Sequence, residues 1–99
     1  MSLAEENAQV LSLVQAMIGA ISPNMRRVTL VVPAPRAVRL TFVLERDDPQ
    51  DREEIDDIVA EFEGLQPGGI ELAKNVIISS DPGIFATLEG RTVFGRKEG

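Results

Sequence analysis

Two runs of alternating residues, 25–33 and 37–46, separated only by Pro33-Ala34-Pro35, constrain the fold of this chain more than any other feature. In the first run Val28, Leu30 and Val32 fall on one side, and Arg27, Thr29 and Val31 on the other. In the second, Val38, Leu40, Phe42 and Leu44 oppose Arg39, Thr41, Val43 and Glu45. Alternation places successive side chains on opposite faces of a strand. Two such runs joined by a short proline turn predict an antiparallel hairpin. A hairpin by itself buries too little apolar surface to be stable in water, so the rest of the chain has to cover it.

Two segments with helical periodicity supply that cover. Residues 4–21 align Val10, Leu13, Val14, Met17, Ile18 and Ile21 in one stripe. Ser2 is the expected N-cap, Glu5 and Glu6 lie near the positive end of the helix dipole, and Ser22-Pro23-Asn24 stops the helix. Over 49–63, Ile55, Ile58, Val59, Phe62 and Leu65 form a second stripe. Asp48 caps this helix and Pro49 takes its first position, where no N–H is needed. Gly64 followed by Leu65 predicts a Schellman-type ending.

A third strand is expected over about 70–79, with Ile70, Leu72, Val76 and Ile78 facing inward. Lys74 interrupts that face and marks either its rim or a bulge. An irregular segment follows Ser80, and residues 91–96 read as a short edge strand. The expected architecture is α+β, in the order α-β-β-α-β(-β). It is a three- to four-stranded antiparallel sheet with two helices on one face. Ninety-nine residues make one domain, in which residues 1–3 and 98–99 read as vector-derived flanks.

The side-chain inventory excludes much chemistry. With no His and no Cys, no group titrates near neutrality in its unperturbed state, and no imidazole can activate a serine. Thiolate metal sites and disulfides are excluded outright. Ser79 or Ser80 with Lys74 is a conceivable Ser–Lys pair, unsupported by any motif. Asp47-Asp48-Pro49-Gln50-Asp51 lacks the glycine and the distal glutamate of a calcium loop, and Pro49 starts a helix where such a loop would run. No catalytic residue, metal site or cofactor is expected, so the chain reads as a non-enzyme. A net charge of −6, four Phe and no Trp or Tyr argue against a nucleic-acid ligand. No apolar run is long enough to span a bilayer, and Glu5 and Glu6 stand where a signal peptide would be basic. The cytoplasm is the expected location.

Two surfaces remain. Between Asp47 and Glu63 lie nine of the sixteen acidic residues against a single cation, Arg52. Glu53, Asp57 and Glu61 recur at helical spacing opposite Phe62, with Glu54 beside them. Like charges four residues apart each cost a helix about 0.2–0.5 kcal/mol. A mildly self-destabilising ridge of this kind serves either solubility or the docking of a basic protein. Glu53, Glu54, Asp57 and Glu61 are the expected partner-binding residues. The second surface is the outer face of the sheet, where Val31, Val43 and Ile77 make an apolar patch. Either the C-terminal segment covers it or a second copy does, which would make the chain a homodimeric structural or regulatory protein.

The stretch Gly19-Ala20-Ile21-Ser22-Pro23-Asn24-Met25-Arg26 and the helix centre Asp57-Ile58-Val59-Ala60-Glu61-Phe62 resemble a family of small uncharacterised bacterial α+β proteins. Similar small acidic proteins include immunity partners of polymorphic or contact-dependent toxins. The resemblance extends over most of residues 4–79. It implies a cytosolic inhibitor that blocks a toxin domain, often a basic nuclease, through an acidic surface.

Overall fold

The computed structural model describes residues 3–98. The expected hairpin is present: β1 (Met25–Ala34) and β2 (Ala37–Leu44) pair antiparallel, from Met25 opposite Leu44 to Ala34 opposite Ala37. Pro35 and Arg36 make the turn, with Arg36 at φ 60°. A proline followed by a residue at positive φ is the pattern of a type II turn. Arg36 offsets its backbone strain through its side chain, which donates to the carbonyls of Gly68 at 2.8 Å and Gly69 at 2.9 Å. Its own carbonyl accepts from Glu71 N at 2.8 Å, which sets β3 (Glu71–Ile78) against β2.

The direction of β3 departs from the expected antiparallel sheet. It runs parallel to β2, with Ala37 opposite Glu71 and Leu44 opposite Ile78, in unbroken register. The helix between them, α2 (Pro49–Gly64), is the reason. A chain that leaves one end of a strand and crosses back over the sheet as a helix delivers the next strand in the same direction. β4 (Arg91–Gly95) lies antiparallel on the far side of β1, so the order is β3-β2-β1-β4 in a mixed sheet. Because β3 has no bulge, Lys74 is a rim residue, and its ammonium pairs with Asp56 of α2.

α2 starts as expected, with the Asp48 carboxylate accepting from Gln50 N at 2.8 Å and Asp51 N at 3.3 Å. Its end differs. Leu65 stays in the right-handed region at φ −83°, so no left-handed Schellman turn forms at Gly64-Leu65. Leu65 N instead donates to the carbonyls of Glu61 and Phe62.

α1 (Leu3–Met17) is shorter than expected and rotated about its axis. It buries Gln9, Leu13, Ala16 and Met17, while Val14, Ile18 and Ile21 are exposed. Residues 10–21 are so continuously apolar that periodicity cannot choose between two adjoining stripes. Packing against α2 and β1 makes the choice. Ser2, the expected N-cap, lies outside the described residues.

Leu13 and Met17 of α1 and Ile55, Ile58 and Phe62 of α2 meet Val28, Leu30, Val38, Leu40, Phe42 and Leu44 in one core. Both helices therefore cover the same face of the sheet. Residues 79–90 take the chain from one sheet edge to the other across the opposite face. They contain a 3-10 helix, Pro82–Thr87, started by Asp81 and Pro82. Gly90 closes this passage at φ 88°, where a Cβ would come within 2.4 Å of the Leu30 carbonyl oxygen.

Candidate functional site

The solvent side of α2 follows from the burial of its apolar stripe. With Ile55, Ile58 and Phe62 in the core, Glu53, Asp57 and Glu61 are turned outward and exposed, and Glu54 is half-buried on the flank. The cations that neutralise other acids are committed elsewhere. Arg52 pairs with Asp47 at 2.6 Å, Lys74 with Asp56, Arg96 with Glu45 and Glu98, and Arg91 with Glu6. The hydrogen bond from Arg52 holds the Asp47 carboxyl below its ordinary pKa. Among the described residues, no cation forms an ion pair with Glu53, Glu54, Asp57 or Glu61. The structure thus places these four acids on one helix and leaves their charge uncompensated.

Asp51 belongs to the same acidic run and is withdrawn from the surface. It is 7% exposed, and its Oδ2 accepts from Asn24 Nδ2 at 2.8 Å. Asn24 also donates to the Arg46 carbonyl at 2.8 Å and accepts from Arg46 N at 3.0 Å, tying the entry of β1 to the start of α2. Sequence reasoning treats Asn24 as a helix stop and Asp51 as one more surface acid. Local patterning carries no signal for a contact between residues so far apart in the chain.

α1 exposes Leu11 at 70% and Val14 at 43%, and Ile18, just past its last residue, is 77% exposed. These positions share one helical face. No residue between Asn7 and Met25 is charged. Because α1 and α2 pack on the same face of the sheet, the helical layer presents an apolar strip and an acidic strip to solvent.

The outer face of the sheet is largely occupied by its own chain. Val43 and Thr29 are buried, with Val43 fully so. The Phe85 ring lies over the guanidinium groups of Arg27 at 3.9 Å and Arg26 at 4.6 Å. Val31 and Ile77 stay half-buried, lining a groove with Thr41, Asn75 and Leu88. Arg39 and Glu89 face each other across it at 3.8 Å. A second copy docking on this face would meet Val31 and Ile77 but not Val43. Nor do the serines after β3 form a pair with Lys74. Lys74 is bound to Asp56, and Ser79 Oγ accepts from Asp81 N at 3.1 Å. Among the described residues, no cluster of three or more acidic side chains is disposed to hold a metal ion.

Comparison with known families decides the affiliation. A family model described as MafI2 immunity protein matches residues 6–98. The chain belongs to the MafI2 immunity protein family. The match runs through the C-terminal segment, so the residues of the passage across the outer face and of β4 lie within it. The comparison with curated proteins gives no match.

Proposed function

We propose that this immunity protein neutralises its toxin by binding it, without catalysis, through the outward side of the helical layer. The observation that carries the reading is the row Glu53, Asp57 and Glu61, exposed on α2 with no cation paired to it among the described residues. Leaving those charges uncompensated costs the helix stability. A basic partner surface would supply the missing cations and would be steered toward them. Glu54, on the flank, extends the same field. The strip of Leu11 and Val14 on α1 and Ile18 at its end adds apolar area to be removed from water, which is where affinity mostly originates. The toxin domain is accordingly basic around the surface that is covered, and the complex forms in the cytoplasm. A homodimer through the outer sheet face is the weaker reading, because Val43 is already buried within its own chain.

Calorimetric titration of the cognate toxin domain against the wild type and against Glu53→Lys/Glu54→Lys/Asp57→Lys/Glu61→Lys tests the proposal. Loss of about 100-fold or more in affinity is expected, equivalent to about 2.8 kcal/mol. Association of the wild type should also slow steeply with added salt. Unchanged affinity in the folded variant refutes the acidic helix as the docking face.

A further inference from the structure

At the start of β1, two arginines are arranged around one carboxylate. Arg26 occupies a bulge between Met25 and Arg27 and is only 2% exposed. Its Nη1 donates to the carbonyls of Ser79 at 2.8 Å and Asp81 at 3.0 Å, and its guanidinium lies over Phe85. Its Nη2 donates to Glu98 Oε1 at 3.1 Å. The other oxygen of that carboxylate, Oε2, accepts from Arg96 Nε at 3.0 Å. Arg96 is itself fixed by Nη1 on the Pro23 carbonyl at 2.8 Å and Nη2 on Glu45 at 2.9 Å. Each guanidinium is thus held by other partners, and the edges left over converge on the two oxygens of a single carboxylate.

Glu98, which the sequence reads as part of a flank but which falls within the family match over residues 6–98, is held less tightly than the arginines around it. Its side chain is 32% exposed. The last main-chain hydrogen bond of the segment is Arg96 N to the Arg26 carbonyl at 2.9 Å, so among the described residues Glu98 is retained by its side chain alone. If it left, Arg26 would keep both carbonyls and its place over Phe85 but would have a charged donor unsatisfied in an almost fully buried group. That donor demands an acceptor, since an unmet charged hydrogen-bonding group costs more than a neutral one. A planar carboxylate bridging two fixed guanidiniums is among the stronger charge-assisted arrangements.

We propose that Arg26 and Arg96 form a carboxylate-binding clamp, which the Glu98 side chain fills in cis and which an acidic side chain of a partner protein enters by displacing it. With Glu98 withdrawn, the clamp holds two guanidiniums against the single carboxylate of Glu45, on a different element from the acidic ridge of α2. It recognises partner groups of the opposite sign to those the ridge would attract. The inference does not depend on the toxin reading, and its test uses no toxin.

The full chain carrying Glu98→Ala is titrated with sodium acetate at constant ionic strength, against sodium chloride, following the side-chain N–H resonances of Arg26 and Arg96. Saturable shifts of both arginines are expected in the variant, at acetate concentrations about tenfold lower than any response of the wild type. They should be lost in Glu98→Ala/Arg96→Ala. If Glu98→Ala does not fold, Glu98→Gln serves the same comparison, because it keeps the shape and removes the charge. The absence of saturation in the folded variant, or an identical response of the wild type, overturns the clamp. Inorganic phosphate saturating at the same concentration as acetate overturns its assignment to carboxylates. A short peptide with blocked ends and one internal Glu should compete with acetate, and its Gln counterpart should not; equal competition by the two overturns recognition of a partner's acidic side chain.

Discussion

Asn24→Ala should cost this protein a large share of its stability although it removes no apolar contact. The Asn24 side chain makes three hydrogen bonds in a site where it is only 6% exposed: to the Arg46 carbonyl, from Arg46 N, and to the Asp51 carboxylate. The two neutral bonds contribute about 1 kcal/mol each and the bond to a charged group about 1.5–3 kcal/mol. Truncation also leaves a carboxylate that is 7% exposed without its donor. The expected loss is therefore about 3–5 kcal/mol, against a total of about 5–15 kcal/mol for a domain of this kind. The midpoint of thermal unfolding should fall by about 12 °C or more. Urea unfolding measures the loss directly, and an unchanged m-value would show that the same surface is exposed. Asp51→Asn keeps an oxygen facing Asn24 and removes only the charge, so it should cost about 1 kcal/mol. If Asn24→Ala lies within about 1 kcal/mol of the wild type, the bonds are not satisfied as described and the reasoning fails.

Further outcomes follow from other parts of the structure. Gly90→Ala forces a side chain into positive φ, at about 1–3 kcal/mol, and against the Leu30 carbonyl; a melting temperature equal to the wild type would contradict that close approach. Phe62→Ala empties the centre of the core and should cost about 3–5 kcal/mol by chemical denaturation. Leu11→Ser/Ile18→Ser should leave stability within about 0.5 kcal/mol, because both side chains already face water, while weakening the toxin complex in the same calorimetric assay. The Arg26 hydrogen bond, followed by that of Arg96, holds the Glu98 carboxyl below its ordinary pKa. A carboxyl depressed in this way stabilises the fold above its unfolded pKa and loses that contribution as pH falls through its folded one. The stability difference between wild type and Glu98→Gln should therefore be full at neutral pH and close in acid; a difference that persists unchanged below the carboxylate range refutes the pairing.

The hairpin, the capped start of α2 and its apolar stripe were legible because each depends on near neighbours. Alternation along 25–33 and 37–46 sets strand faces, Asp48-Pro49 sets a helix start, and Ile55, Ile58 and Phe62 leave Glu53, Asp57 and Glu61 on the water side. The candidate docking row was therefore visible before any tertiary contact was known. Which of its acids a cation from another element would neutralise was not, because Lys74 reaches Asp56 from a neighbouring strand rather than from the helix itself. The Schellman ending at Gly64-Leu65 was a reading of local chemistry that the helix does not use.

By itself the sequence determined the α+β class and the element order, since local periodicity suffices for these. Tertiary structure alone decided the parallel direction of β3, the stripe that α1 buries, the withdrawal of Asp51 beside Asn24 and the joining of Arg26 to Glu98. Each of those depends on groups distant in the chain, 22 to 72 positions apart in the hydrogen bonds among them, brought together by the packing of two helices and a folded-back tail on one sheet. Such meetings leave no periodic trace in the residues that take part.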